Sequence, residues 1–265
     1  SKKEVFLSTY ICHPSMANNE LSGPTVVTFI AKWLQGLTQS NYSYRIIFIP
    51  ETIGSITYLS QNYKDMKNKI YAGFNVTCVG DDRAYSYLPS RNGNTISDLM
   101  AKHVLKWTDP NFIEYSWLDR GSDERQYCAP GIDLPIASIL RTKYGEYPEY
   151  HTSLDDLKNV VTPQGLNGAY WAIRKTIEAI EKNKKYKATI LCEPQMGKRN
   201  LYSTLFELEN DKQVKFMMNF ISLCDGDNSL LDIAEQLGVR IWDLYDTLDK
   251  LLSEDLIQLN ELIVT

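Results

Sequence analysis

Three histidines occur in the 265 residues, and two of them stand where a histidine can do chemistry. His13 follows the apolar run from Phe6 to Cys12 and precedes a loop of small and polar residues that leads into SGPTVVTF, a helix-like stretch. His151 lies in EYPEYHTSLDDL, away from any apolar stripe and shortly before Asp155 and Asp156. His103 instead falls on the apolar stripe of a helical pattern from Ile96 to Trp107, which a packed helix histidine explains. A neutral imidazole is a good ligand for zinc and a proton carrier near neutral pH. Carboxylates recur in comparable places. In RIIFIPETIGSI an apolar run ends at Pro50 and presents Glu51, where partial burial would raise its pKa and suit it to general-base work. The stretch DRGSDERQY crowds Asp119, Arg120, Asp123, Glu124 and Arg125 ahead of another apolar run, and a solvated loop explains it about as well as a site does.

The elements that must position these residues are legible as alternating periods. Strand-like runs appear at 5–12, 44–49, 72–79 and 134–139, each short, apolar and rich in β-branched or aromatic residues. Helical spacing links Val26, Val27, Phe29, Ile30, Trp33 and Leu34, and again Ile96, Leu99, Met100, Val104 and Trp107. Thr162 and Pro163 form an N-cap and first-turn pair for a third helix carrying Leu166, Tyr170, Ile173, Ile177 and Ile180 inward. Near-continuous apolar strands alternating with amphipathic helices predict an α/β sheet covered on both faces. In such sheets ligands gather at the carboxyl ends of strands, which is where His13 and Glu51 fall.

Composition narrows the function classes. With 43% hydrophobic and 23% charged residues the chain reads as ordinary globular protein, and its net charge of −5 gives no electrostatic reason to expect nucleic acid or an anionic membrane as partner. No apolar run approaches the ~18 residues of a membrane span. Five scattered cysteines (Cys12, Cys78, Cys128, Cys192, Cys224), without a CxxC pair, read as reduced core residues of a cytoplasmic protein. A strand beginning almost at residue 1 suggests a fragment whose upstream elements lie outside this sequence.

Past the third helix the basic EKNKKYK reads as a hinge, and the pattern changes. Helical segments at 213–223, 230–237 and 241–252 precede LIQL and LIVT, read as a small hairpin. Asp227-Asn228-Ser229 offers an N-cap and Gly238 a helix end. Three helices and a short ribbon outline a winged helix, dividing the chain into a catalytic-type domain at 1–185 and a winged-helix-like domain at 186–265.

In order, strand-His, N-x-x-S-G before a helix, PE-x-x-G, N-x-x-x-VG, SD with a later GI and P, and HT with DD resemble the zinc aminopeptidases that use co-catalytic metals. The motifs CHPSMANNELSGP, PETIGS, TCVG, GSDERQY, YHTSLDD and EPQMGKR look like the aminopeptidase-like relatives that carry a C-terminal winged helix and are associated with polysaccharide-biosynthesis loci. The resemblance implies a three-layer αβα sandwich with a mixed sheet. It makes His13 and His151 metal ligands and Glu51 the base for metal-activated water. Asp123 becomes a contact for a substrate amine or a support behind the site, with Arg125 and Tyr127 lining the pocket. Asp155 and Asp156 would orient the ring of His151 by a hydrogen bond.

The departures are informative. Where the two-zinc enzymes carry a bridging aspartate, a glutamate ligand and an aspartate ligand, this chain has Asn19, Thr52 and Thr77. Two cations roughly 3.5–4 Å apart need several carboxylates around them, so one zinc ion is expected rather than two. Glu20 is the preferred third ligand, although alignment places Asn19 there, because a carboxylate binds zinc better than an amide does.

Two functions follow. The first is a zinc-dependent aminopeptidase-like hydrolase acting on a peptide or amino-sugar-like substrate. The second is a degenerate site that binds a metal or ligand without turnover, with the winged helix used for protein–protein contact. Regulation through DNA is disfavoured by charge: residues 225–261 hold ten acids and two bases, a net charge of −8. Protein docking or self-association is the role expected of that module.

Overall fold

The structure is a computed structural model that describes residues 2–195 and 208–260. The chain divides into two compact units, Ser1–Glu181 and Lys182–Thr265.

In the first unit β1 (Glu4–Tyr10), α1 (Ser22–Gln35), β2 (Ser43–Ile49), α2 (Ile53–Lys69) and β3 (Ile70–Asn75) alternate; the two periods predict the three strands and α1, but not α2, which buries only Ser55, Leu59 and Met66. There follow β4 (Ser86–Leu88), α3 (Ile96–Thr108), β5 (Ile113–Glu114), the single turn α4 (Glu124–Tyr127), β6 (Ile136–Leu140) and α5 (Pro163–Lys182). The sheet order is β2-β1-β3-β6-β4-β5. The first four of these strands run parallel, β4 is antiparallel to β6, and β5 is parallel to β4, so the sheet is mixed.

Burial shows three layers. Every residue from Val5 to Tyr10 is buried, as is every residue of β6, and consecutive buried residues require cover on both faces. Phe6 packs with Leu59 and Met66 of α2 and with Tyr127 of α4, while Ser8 on the same face meets Tyr127. Gly23 of α1 lies against Thr9, on the opposite face: a Cβ there would come within 2.4 Å of Thr9 Oγ1 and of the Val76 carbonyl oxygen. The glycine of the S-G step therefore admits a close helix-to-sheet contact. Ser22 beside it donates to the Asn18 carbonyl at 2.5 Å and accepts from the Val79 N–H at 3.0 Å.

Strand ends differ from expectation for local reasons. β3 stops at Asn75 rather than Val79, and the chain beyond it passes through Cys78 at a φ of 48°, outside the extended region. β6 begins at Ile136, just after Pro135, which has no N–H to give to a ladder.

The second unit has β7 (Lys185–Ala188), α6 (Leu208–Leu223), β8 (Asp225–Ser229), α7 (Leu230–Leu237), α8 (Tyr245–Ser253) and β9 (Ile257–Leu259), with a 3₁₀ turn at Ile241–Leu244 ahead of α8. Ser229 caps α7 by accepting from the Asp232 N–H, and Gly238 ends it at a φ of 65°. EKNKKYK spans the boundary between the two units and is structured there, as the end of α5 and the start of β7. The sheet order is β8-β7-β9, all antiparallel, so that LIQL pairs with β7. LIVT and the last four residues of EPQMGKR lie outside the described residues. Among the described residues no helix is long and apolar enough to cross a membrane.

Candidate metal centre

Chain segments leaving the carboxyl ends of β1 and β2 bring Cys12, His13 and Glu51 together, with one ligand-type atom from each within 4.8 Å of the others. Glu20 joins them from a π-helical turn, Ala17–Leu21, a distortion common at functional sites. Its Oε1 lies 2.7 Å from His13 Nδ1, and its Oε2 accepts from the Cys12 N–H at 2.7 Å. Glu20 itself is buried, so its carboxylate is met by His13, Cys12 and Asn19 rather than by solvent. The ring of His151 stands 4.8 Å from that of His13 and stacks on Tyr150 at 4.0 Å. His151 takes a φ of 57°, a left-handed conformation costly for a residue with a Cβ. Partial burial, then the neighbouring His13, hold its pKa below the ordinary histidine value, which favours the neutral, ligating form.

Asn19 donates from Nδ2 to Glu20 Oε1 at 3.0 Å, while its Oδ1 is buried with no hydrogen-bond partner among the described residues. A buried acceptor left over beside a carboxylate and two imidazoles is what a small cation would complete, so the donor set is chemically suited to hold one. Two of the neutral departures are committed elsewhere. The Thr77 hydroxyl donates to the Asn19 carbonyl at 3.0 Å and lies 2.6 Å from Tyr10 Oη, and Thr52 Oγ1 accepts from Arg125 Nη2 at 3.0 Å.

Glu51 is half-buried, and burial raises its pKa against a hydrogen bond to Ser122 and the charge of Arg125. The residue after it, Thr52, has a φ of 60° and is held there from below. Asp123 Oδ1 accepts from the Thr52 N–H at 2.7 Å and from Ser55 Oγ at 2.8 Å. Asp123 is completely buried, so it does not face a substrate amine; burial pushes its carboxyl up to about 6. Tyr127 is likewise buried, its hydroxyl 2.7 Å from Ser8 Oγ and its ring edge-on to Phe6. Arg125 alone of the three remains partly exposed and electrostatically in reach of Glu51. The charge-dense loop is organised by Glu124, whose Oε1 accepts from the Gly121 and Ser122 N–H groups and the Tyr144 hydroxyl.

The expectation that Asp155 and Asp156 orient His151 does not hold. Asp155 accepts from the Asn18 and Asn19 N–H groups and from Tyr147, and Asp156 accepts from the N–H groups of Lys158 and Asn159. Both carboxylates are occupied by local or cross-loop backbone. His103 is buried on α3, as its stripe position implied.

Cys12 is the residue that sequence reasoning missed. It is exposed, not a core residue, as is Cys192. Its Sγ lies 3.2 Å from His13 Nδ1 and 3.5 Å from Glu20 Oε1. Partial burial first, then Glu20 and Glu51, push the thiol up to about 11 despite a hydrogen bond with the Glu51 backbone. Because thiol and carboxylate approach the same imidazole nitrogen, the three do not form a nucleophile relay, which needs both ring nitrogens. The one available signal was its place at the strand end next to His13.

A mixed sheet covered by helices, with imidazoles and carboxylates gathered at its strand ends, defines an aminopeptidase-like α/β protein joined to a winged helix. Residues 1–183 match the model of a domain family of unknown function, DUF4910, and residues 184–259 match a winged helix-turn-helix model. The chain belongs to that DUF4910 family. A Clostridium acetobutylicum protein, named for polysaccharide biosynthesis and an aminopeptidase-like domain, is 40% identical over 97% of this chain, which spans 59% of that protein's length. A crystal structure of a candidate peptidase from the same organism superposes with a TM-score of 0.88 at 39% identity, covering 98% of this chain and 58% of that one. A zinc aminopeptidase from Bacillus subtilis shares the fold at a TM-score of 0.57 and 17% identity, over 67% of this chain and 46% of that one.

Proposed function

We propose that the first unit is a zinc-dependent aminopeptidase-like hydrolase that cleaves an amide in a peptide or an amino-sugar-like substrate. The observation that carries this reading is the approach of Glu20 to His13 at 2.7 Å, with the His151 ring beside them and Glu51 at the next strand end. His13, Glu20 and His151 would hold one zinc ion, which supplies a Lewis acid for an amide carbonyl and acidifies adjacent water. Glu51, with its raised pKa, takes the proton of the attacking water and delivers it to the amine nitrogen as the C–N bond breaks. Arg125 offers a guanidinium near that carboxylate for a substrate oxygen. Asp123 acts through Thr52, fixing the turn that presents Glu51, rather than on substrate.

A second reading is a binding module without turnover, favoured by the commitment of the Thr52 and Thr77 hydroxyls to other partners. Elemental analysis of the purified chain beside His13→Ala and His151→Ala, followed by assays on aminoacyl amides, tests the proposal. About one zinc per chain, lost in both variants with the fold intact, and amide cleavage would support it. Zinc without turnover on any amide would leave the binding module, and no zinc would remove the metal reading altogether. The winged helix is proposed for protein docking or self-association, with a cytoplasmic location for the chain.

A further inference from the structure

The resemblance to two-zinc enzymes leaves a deficit of negative charge at Asn19, Thr52 and Thr77, and one exposed side chain can restore part of it. Cys12 Sγ lies 3.2 Å from His13 Nδ1 and 3.5 Å from Glu20 Oε1, and it is within 4.8 Å of the Glu51 carboxylate. In a tetrahedral zinc site with bonds of about 2.0–2.3 Å, ligand atoms stand about 3.3–3.6 Å apart. The sulfur is thus already spaced as a co-ligand of His13 and Glu20. The 2.7 Å contact between His13 and Glu20 would open by roughly half an ångström around an ion of that size.

We propose that Cys12 is a ligand of the metal centre, its thiolate joining His13, Glu20 and His151, so that water or substrate would enter as a fifth ligand. The inference rests on the metal-site reading above and changes its ligand set. A coordinating thiol gives up its proton outright, so Cys12 and Glu20 together contribute two negative charges facing a divalent ion. A sulfur ligand also moves selectivity toward zinc and away from magnesium or calcium. No carboxylate has to occupy the positions now held by Asn19, Thr52 or Thr77 for such an ion to be neutralised.

Titrating the metal-free chain with Co²⁺ and recording its absorption tests this, because a thiolate bound to Co²⁺ gives a near-ultraviolet charge-transfer band that imidazole and carboxylate do not. The band is expected in the wild-type chain and in Cys192→Ala, which removes the other exposed cysteine, and is expected to vanish in Cys12→Ala. Binding should weaken in Cys12→Ala by more than the 10–100-fold typical of losing an outer hydrogen-bond partner of a ligand. Independently of that variant's folding, stoichiometric zinc should protect Cys12 of the wild-type chain from iodoacetamide, read by peptide mass. Cobalt bound with visible bands and no charge-transfer band, or Cys12 alkylated equally with and without zinc, would overturn the thiolate ligand and leave the metal site standing. Failure to bind cobalt or zinc at all would overturn both.

Discussion

Asp155 accepts the backbone N–H groups of Asn18 and Asn19 with its two carboxylate oxygens, at 2.6 and 3.0 Å, and so ties the loop that carries His151 to the turn that carries Glu20. Its own carbonyl accepts from the Ala17 N–H at 2.8 Å, and Tyr147 donates to its Oδ2 at 3.1 Å. A buried carboxylate with that many donors is a clamp between two segments over a hundred residues apart in the chain.

Asp155→Ala removes the acceptor for two buried N–H groups and a tyrosine hydroxyl. At about 1–3 kcal/mol per unsatisfied group, the expected loss is at least about 3 kcal/mol, or a melting temperature lower by at least roughly 6–12 °C for a domain of this size. Metal affinity should fall by about tenfold or more although no ligand is touched. Thermal denaturation and zinc titration on the same preparation check both effects, and unchanged affinity would show that the clamp does not align the site.

Burial raises the carboxyl of Asp123 from 3.8 to about 6, with smaller contributions from Glu51 and Glu124, against hydrogen bonds from Thr52 and Ser55. Between those two values the folded chain keeps a proton that the unfolded chain releases. The contribution of Asp123 to stability is therefore full below about pH 4 and is lost as pH rises through about 6. Asp123→Asn should flatten this slope, which is at most about 3 kcal/mol. Denaturant titrations at pH 4.5 and pH 7 compare the two proteins; an identical slope in both would contradict the assignment.

If Glu51 moves the proton during amide cleavage, Glu51→Gln keeps its size and loses its basicity. A fall in kcat of about 10²–10⁴ is expected, with zinc content and circular dichroism unchanged. An activity within twofold of wild type would remove Glu51 from the role of base.

The C-terminal unit is expected not to bind duplex DNA. Asp246 and Asp249 lie on α8, and Arg240, one of only two bases between residues 225 and 261, is paired with Asp243 at 2.8 Å. Few phosphates could be neutralised by such a surface, so little counterion release would drive association. A salt-dependent mobility shift at low ionic strength would contradict this.

The alternation of periods exposed much of the first unit to sequence reading, because β1, β3 and β6 are buried on both faces and α1, α3 and α5 carry clear apolar stripes. His13 and Glu51 were legible for a related reason, each standing just past a strand whose end could be located, whereas His151 stood out as a loop histidine far from any apolar stripe. For Asp123 the choice between a substrate contact and a support stayed open, and Tyr127 was given to the pocket lining, because sequence shows polarity but not depth, and both are buried at the single turn α4. Asp155 was assigned to the wrong neighbour because its partners, Asn18 and Asn19, are distant in sequence and are backbone groups with no signature of their own. Cys12 was masked by its apolar neighbours, which belong to β1, whereas the cysteine lies two residues past its end.

In the second unit the middle strand of the sheet is the one that comes first in the chain. β7 finds β8 only after α6, and Tyr186 meets Leu259 of β9 about seventy residues downstream. During synthesis, β7 must therefore leave the ribosome with both edges bare and wait for its neighbours, a few seconds at ordinary elongation rates. A chain interrupted before residue 257 would keep one of those edges open to pairing with another molecule.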